Sequence, residues 1–195
     1  MKLPLNCDVE YIEDFLDKQE CENLSSQLIH EYHLDQARVC IEAAGKFHET
    51  DNYRMLFADQ NLIDQNFYPE EVHGKSYNWT GELAKLKQKV ESYLKQKFDL
   101  AMCIYYPNGN FFAPYHSDIE TSGAHTILPS ISIGEVREFS FKSIEDNETY
   151  NLDLANGSML TMGAYCQSRY KHSLLKNPKY KNPRINITFR EFGFQ

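Results

Sequence analysis

Two segments in the first half of the chain carry apolar residues at the spacing of an α-helix. Asp17 and Glu20 have the separation of a capping box, which predicts that a helix begins there. A second helix is predicted from about residue 80 to residue 97. Apolar residues that recur every three or four positions indicate helices with one face against a sheet. They are Leu24, Leu28 and Tyr32 in the first helix and Leu83, Leu86, Val90, Tyr93, Leu94 and Phe98 in the second.

From about residue 99 the pattern changes to short apolar or alternating runs separated by turn residues. Strands are predicted over residues 100–106, 115–118, 126–133, 137–141, 150–154, 158–162, 168–172 and 184–189. Many short strands after two helices are typical of a jelly roll. We therefore predict an α+β, mainly β fold: a jelly-roll barrel backed by N-terminal helices.

Composition narrows the class of protein. The chain has 195 residues, 42% of them hydrophobic and 25% charged, which favours one domain over residues 1–195. No segment approaches the length of a membrane span, and no signal-peptide core follows Met1. The five cysteines are dispersed and include no CxxC pair. We expect an intracellular protein, in the nucleus or cytoplasm, without a membrane partner.

The net charge of −8 argues against a protein that coats nucleic acid by charge alone. Residues 169–190, however, contain seven Lys or Arg side chains and no carboxylate. Such a basic segment can form a rim that holds a polyanion. A solvated lysine loop over residues 176–181 explains the same pattern, and both interpretations stay open.

His116, Asp118 and His172 are the candidate metal ligands. Residues two apart in a strand project to the same face, so His116 and Asp118 can reach one ion, with His172 arriving from elsewhere in the sheet. Two imidazoles and one carboxylate leave positions open on the metal, which suits non-haem Fe(II). The alternative is a surface HxD pair and an unrelated core histidine.

The last predicted strand alternates polar and apolar residues from Arg184 to Arg190. Its polar face carries these two cations with Asn186 and Thr188. Inward-facing cations are costly unless an anion neutralises them. A small dicarboxylate beside the metal meets that requirement, because a guanidinium matches a carboxylate in a bidentate manner. The obvious candidate is 2-oxoglutarate.

At these residues the sequence resembles the AlkB family of Fe(II)/2-oxoglutarate-dependent dioxygenases. The matching segments, in family order, are Cys103-Ile-Tyr-Tyr-Pro-Asn-Gly109, His116-Ser-Asp118, Pro129-Ser-Ile-Ser-Ile-Gly134, Asn156-Gly-Ser158, Met162-Gly, Gln167-Ser-Arg-Tyr-Lys-His172 and the terminal Arg-x-Asn-x-Thr-x-Arg strand. The resemblance covers roughly the C-terminal half of the chain. It implies a double-stranded β-helix over residues 99–195, with Fe(II), 2-oxoglutarate and O2 as cofactor and co-substrates.

The resemblance also implies roles around the co-substrate. Arg184 corresponds to the anchor of the distal carboxylate, and Arg190 to the arginine near the metal-bound end. Asn186 lies on the same face, and Tyr106 matches a tyrosine whose hydroxyl contacts 2-oxoglutarate; taken alone, Tyr106 is equally an ordinary barrel tyrosine. Ile104 departs from the family, because many members have an asparagine there. Losing one hydrogen bond of about 1 kcal/mol predicts weaker co-substrate binding.

For the substrate, the resemblance implies that residues 1–98 contain a nucleotide-recognition lid beside the helices. Glu120 matches a carboxylate that some relatives use to bind the amine of the target base; a loop acid is the alternative. Phe47, Phe57, Phe67 and Tyr68 are candidates for stacking on a base, with core packing as the alternative. Ala44 stands where a duplex-acting relative has an aromatic wedge, which favours single-stranded or distorted substrate.

The resemblance thus implies oxidative demethylation of alkylated nucleobases in DNA or RNA, as in DNA dealkylation repair, by a protein that we expect to be monomeric. Formaldehyde, succinate and CO2 are the expected products. The same chemistry on a protein side chain or a small molecule, and a non-catalytic barrel that only binds, are the alternatives.

Overall fold

A computed structural model describes residues 1–43, 46–118 and 126–192. Within these ranges the side chains of residues 40–43, 46–51, 71 and 72 are not described. In the described part of the chain, no helix combines the length and the apolar character needed to cross a membrane.

Twelve strands in the described residues form two sheets that face each other. The major sheet has eight strands: β1 (Val9–Ile12), β2 (Arg38–Ala43), β3 (Lys46–Ala58), β4 (Ser76–Asn78), β5 (Leu100–Tyr106), β7 (Leu128–Gly134), β10 (Met159–Met162) and β12 (Arg184–Arg190). Their order is β1-β10-β7-β12-β5-β3-β2, and β4 pairs in parallel with β3. The terminal strand β12 therefore lies inside the sheet, between β5 and β7.

The minor sheet has four strands in the order β6-β11-β8-β9. They are β6 (Ala113–His116), β8 (Arg137–Ser143), β9 (Thr149–Leu154) and β11 (Tyr170–Leu174). Side chains of both sheets line one cavity between them. The predicted jelly-roll architecture, mainly β with helices behind it, is confirmed. The sheets are open layers, because no strand pairing among the described residues joins them into a closed barrel.

Five α-helices are present in the described residues: α1 (Lys18–Ser26), α2 (Gln60–Asp64), α3 (Glu70–His73), α4 (Gly81–Leu94) and α5 (Cys166–Arg169). The predicted capping box is confirmed, since Asp17 Oδ1 accepts from the Glu20 N–H and Glu20 Oε2 accepts from the Asp17 N–H, each at 2.8 Å. The predicted second helix is α4, which ends where Lys95 adopts a left-handed conformation.

The main core lies between the outer face of the major sheet and helices α1 and α4. Apolar residues at helical spacing meet residues that alternate on the strands, which buries both sets. The helices contribute Leu24, Leu28, Leu83, Leu86 and Val90; the strands contribute Met55, Phe57, Ala101, Cys103, Ile131, Ile133, Ile185, Ile187 and Phe189. The opposite face of the same strands is therefore turned toward the minor sheet.

Most predicted strands differ from the observed strands by one or two residues at an end, and two of these differences have an identifiable cause. The strand predicted over 168–172 begins at Tyr170, because residues 166–169 form one helical turn in which the Arg169 N–H donates to the Tyr165 carbonyl. The strand predicted over 115–118 is β6 and ends at His116, because the Asp118 N–H donates to the Gln167 side chain. Strands β1 to β4 were not predicted from the sequence.

Candidate active site

The structure brings His116, Asp118 and His172 together. His116 ends β6 and pairs directly with His172 in β11, and the ring centroids are 4.4 Å apart. Asp118 follows β6, with Oδ2 3.6 Å from His172 Nε2. Possible ligand atoms of all three residues lie within 4.8 Å of one another. One ion can therefore contact all three side chains.

A backbone contact selects the tautomer of His116. Its Nδ1 lies 2.7 Å from the Pro114 carbonyl oxygen, which can only accept a hydrogen bond. Nδ1 therefore carries the proton, and the Nε2 lone pair is available to a metal. This arrangement is the one that metal-binding histidines ordinarily require.

Burial keeps His172 neutral. The side chain is 5% exposed and its ring is stacked on Phe139 at a centroid distance of 5.6 Å. Burial lowers the pKa of His172 to about 4, although Asp118 acts in the opposite direction. A neutral imidazole is the form that binds a metal, so no proton has to be displaced near neutral pH.

Asp118 is held in its ionised form. Burial opposes ionisation, but the charge and the hydrogen bond of Arg190, with the neighbouring imidazoles, outweigh it, so the pKa of Asp118 lies below its usual value. Arg190 Nη2 donates to Oδ1 at 2.8 Å, and the Asp118 N–H donates to Gln167 Oε1 at 2.9 Å. Two nitrogen donors and one oriented carboxylate suit Fe(II), so the side chains fit the predicted metal.

Arg184 is a buried cation on the same inner face. Its side chain is 2% exposed, and Nη2 donates to Ser132 Oγ and Asn186 Oδ1, each at 2.9 Å. The buried Nε has no hydrogen-bond partner, and no carboxylate pairs with Arg184 among the described residues. Burial lowers its pKa to about 10, so the guanidinium remains charged at neutral pH. An anionic ligand would offset this desolvation.

Asn186 orients Arg184. Its Oδ1 accepts from Arg184 and from Ser130 Oγ, and its Nδ2 donates to Thr188 Oγ1 at 2.7 Å. An amide nitrogen has two hydrogens, which leaves one N–H for a further contact. The sequence analysis predicted a co-substrate contact for Asn186; the structure also gives it this orienting role.

Tyr106 lies directly opposite Arg184 on β5, with its ring 5.5 Å from the Arg184 guanidinium carbon. Burial raises the pKa of Tyr106, so its hydroxyl keeps its proton and can donate. Behind it is Arg137, which was not predicted from the sequence. Arg137 donates to the carbonyls of Phe111 and Leu175 at 3.0 and 2.9 Å and so ties the loops around the site together.

These side chains line one cavity of about 350 Å³. The described residues around it are Arg54, Met102, Ile104, Tyr106, Ala113, His116, Ser117, Asp118, Ser130, Phe139, Met162, His172, Leu174, Arg184, Asn186, Thr188 and Arg190. The metal triad and the arginines predicted from the sequence thus share a single space, large enough for a small dicarboxylate.

Arg54 is the polar cavity residue that the sequence analysis missed. It lies in β3 directly opposite Ile104, and its Nη1 is 3.9 Å from Met102 Sδ. The following residues, 55–58, are all buried, so β3 lacks the alternation that marks Arg184 in β12. Once β3 is recognised as a strand beside β5, the position of Arg54 on the cavity face follows.

The residues predicted to bind substrate are less completely described. Glu120 lies outside the described residues, and so does the side chain of Phe47. Phe67 is 46% exposed and packs on Phe192 at a centroid distance of 4.5 Å. Tyr68 contacts His73 edge-on at 5.2 Å. Phe57 is fully buried in the main core, and neither Phe67 nor Tyr68 is among the residues that line the cavity.

Comparison with known proteins gives an independent result. The sequence model of the 2OG-Fe(II) oxygenase superfamily matches residues 8–190. A protein named R406 from Acanthamoeba polyphaga mimivirus is 32% identical over 63% of this chain and 66% of its own length. Alpha-ketoglutarate-dependent dioxygenase alkB homolog 3 from Bos taurus is 32% identical over 58% of this chain and 43% of its own.

A third relative is similar over nearly the whole chain. DNA oxidative demethylase ALKBH2 from Bos taurus is 26% identical over 96% of this chain and 69% of its own length. The chain thus spans between 43% and 69% of the length of these three relatives. The solved structure of OsALKBH1 superposes with a TM-score of 0.59 at 15% identity, covering 97% of this chain and all of that one, which supports the fold. The chain belongs to the 2OG-Fe(II) oxygenase superfamily and, within it, to the AlkB family.

Proposed function

We propose that this protein is an Fe(II)/2-oxoglutarate-dependent dioxygenase that removes methyl groups from alkylated nucleobases in DNA or RNA. This proposal rests on Arg184, a buried cation with which no carboxylate of the described residues pairs, in one cavity with the His116, Asp118 and His172 cluster. The names of the similar proteins, a DNA oxidative demethylase among them, support a nucleobase substrate. With 2-oxoglutarate and O2, bound Fe(II) supplies the oxidising power for hydroxylating a methyl carbon.

The metal would be held by His116 Nε2, His172 Nε2 and the Asp118 carboxylate. Pro114 fixes the proton on His116, and burial keeps His172 neutral. Arg190 keeps Asp118 ionised and occupies Oδ1, so Oδ2 remains the oxygen near the histidines. The described side chains thus prepare the metal site before any ion binds.

2-Oxoglutarate would bind with its distal carboxylate on Arg184. The guanidinium supplies charge and N–H donors, and Tyr106 supplies a hydroxyl from the opposite strand. Asn186 would add its second amide N–H, and Arg190 would contribute positive charge at the metal end. The Ile104 side chain cannot form a hydrogen bond with 2-oxoglutarate. We therefore expect weaker co-substrate binding than in a relative that has asparagine at this position.

For the substrate we propose an extruded or single-stranded nucleotide. Glu120 would accept a hydrogen bond from the exocyclic amine of the base, and Phe47, Phe67 and Tyr68 would stack on nucleotides around it. Residues 1–98 would supply the recognition lid and residues 99–195 the catalytic core. We propose that the enzyme acts as a monomer, in the nucleus or cytoplasm.

The direct test uses matched single- and double-stranded oligonucleotides with 1-methyladenine or 3-methylcytosine, incubated with the protein, Fe(II), 2-oxoglutarate and O2. We expect formaldehyde and succinate to form in equal amounts and the oligonucleotide to lose its methyl group by mass spectrometry, faster for the single strand. Asp118→Ala is the inactive control. Unchanged oligonucleotides beside rapid 2-oxoglutarate turnover on a peptide or small molecule would assign the same chemistry to another substrate.

A further inference from the structure

A strip of lysine and aromatic side chains follows the edge of the minor sheet, outside the cavity. We call it the β6 strip; it consists of Phe112, Tyr115, Lys142, Lys171 and Lys176. Phe112 and Tyr115 are 44% and 37% exposed. The Lys176 amine lies 5.7 Å from the Phe112 ring centroid, and the Lys142 amine lies 5.9 Å from that of Tyr115. Each exposed ring of the strip therefore has a lysine amine beside it.

Tyr115 is held in place across three strands. It belongs to the edge strand β6, and its hydroxyl is 2.7 Å from Ser140 Oγ in β8, with β11 between them. The ring therefore lies over β11, anchored at both ends. An exposed ring that is already fixed loses little conformational entropy when a base stacks on it.

Lys142 and Lys171 are directly opposite each other on β8 and β11. Like charges in this position repel each other and destabilise a sheet. On its other side, Lys142 is opposite the neutral Thr149. None of the three lysines of the strip has an ion pair within the described ranges of the chain. A phosphate close to both amines would relieve the repulsion.

The strip borders the candidate active site. Tyr115 precedes His116 and Lys171 precedes His172, and neighbouring residues in a strand point to opposite faces. The edge strand β6 is thus part of the cavity wall on one side and part of the strip on the other. Carboxylates limit the strip on two sides: Glu145, Asp146 and Glu148 lie in the turn between β8 and β9, and Glu138 lies beyond Ser140 on the same face of β8.

We propose that the β6 strip binds single-stranded nucleic acid next to the nucleotide that enters the cavity. The lysines contact successive phosphates, and the rings of Tyr115 and Phe112 stack on neighbouring bases. A single strand fits better than a duplex, because its base faces are free to stack. Charge complementarity supports this occupant, since positive charge collects here on a chain of net charge −8. The proposal rests on the proposed function, which makes the polymer the substrate.

The test measures binding of a fluorescent, unmethylated thymidine oligonucleotide by anisotropy over a series of salt concentrations. In the double variant Lys142→Ala/Lys171→Ala, we expect about tenfold weaker binding at low salt. The slope of log K against log salt should shrink by about 0.7 for each lysine removed. Tyr115→Ala should also weaken binding by about tenfold but leave the slope unchanged, because stacking releases no counterions. Tyr115→Phe, which keeps the ring but loses its anchor to Ser140, should bind more weakly than the parent and more tightly than Tyr115→Ala.

Lys18→Ala is the matched control, because Lys18 is 88% exposed but lies on α1, away from the minor sheet. Unchanged affinity and slope in the double lysine variant, or an equal change in Lys18→Ala, would overturn the proposal. A methylated mononucleotide separates this result from the proposed function. The double lysine variant should demethylate the mononucleotide at the same rate as the parent protein. If the parent protein demethylates no substrate, the proposed function is refuted. The oligonucleotide-binding measurements then decide by themselves whether the β6 strip binds nucleic acid.

Discussion

Arg190 and Asp118 form an ion pair between the last residue of β12 and the carboxylate that follows β6, with Nη2 2.8 Å from Oδ1. The pair joins the two sheets at the candidate metal site. It occupies one carboxylate oxygen and leaves Oδ2 facing His172. Arg190 thereby determines both the charge and the orientation of the proposed metal ligand.

Replacing Arg190 with methionine should weaken metal binding by about 10- to 100-fold, the usual cost of losing an outer partner of a ligand. Without this cation the pKa of Asp118 should rise, so the loss of metal affinity should be larger at acidic pH than at neutral pH. Calorimetric titration with Co(II) measures both effects. Arg169→Met is the control, because Arg169 bonds to Asn6 at the surface. Equal affinities in the two variants would refute this role for Arg190.

Replacing Arg184 with methionine should raise the KM for 2-oxoglutarate about 100-fold, since a buried charge pair would be lost from the complex. The ligand-free protein should be as stable as the parent or more stable, because an apolar side chain replaces a buried cation that has neutral partners. Steady-state kinetics and thermal unfolding, without and with 2-oxoglutarate, check both parts. A large loss of stability without ligand would indicate a structural role instead.

The pH dependence of stability should reflect His172. Its pKa is about 4 in the folded protein and near 6.5 when unfolded, so the unfolded chain takes up a proton first as the pH falls. The metal-free protein should therefore lose stability between pH 6.5 and 4, by about 2 kcal/mol at pH 5 from this residue. His172→Phe should flatten this part of the curve in urea unfolding. His30→Phe is the matched control, because it makes the same change at an exposed histidine.

Removing the α1 cap tests a prediction made from the sequence alone. Asp17→Ala eliminates the acceptor for the Glu20 N–H and should lower the free energy of unfolding by about 1 kcal/mol in urea titrations. Asp14→Ala removes a carboxylate of the same charge that does not cap the helix. If both variants lose the same stability, the effect is one of charge and not of capping.

The second half of the chain was predictable because its polar functional residues recur at every second position, which is the period of a β-strand. In β12, Arg184, Asn186, Thr188 and Arg190 fall on one face, and the structure turns that face toward the cavity. The HxD spacing predicted that His116 and Asp118 reach the same site. They do so although Asp118 lies beyond the end of β6, because the Gln167 side chain accepts a hydrogen bond from the Asp118 N–H. Gln167 belongs to a segment that resembles the family, but its contact with Asp118 was not predicted, because it depends on the helical turn α5.

The first half was less predictable. Strands β1 to β4 were missed; β1 and β3 depend on partners distant in sequence, such as Met162 for Val9 and Ile104 for Arg54. Buried runs such as residues 55–58 show no alternation of polar and apolar side chains. The position of Arg54 in the cavity was therefore not predicted, although an arginine in an otherwise apolar segment already suggested a polar role.

Anaerobic titration of Fe(II) into the protein with saturating 2-oxoglutarate tests the central account most directly. We expect one Fe(II) per chain and the visible charge-transfer band of 2-oxoglutarate chelated to Fe(II). The band should be absent in His172→Ala, strongly weakened in Arg184→Met at the same 2-oxoglutarate concentration, and unchanged in His33→Ala. A band that persists in His172→Ala, or no stoichiometric binding in the parent protein, would contradict the account.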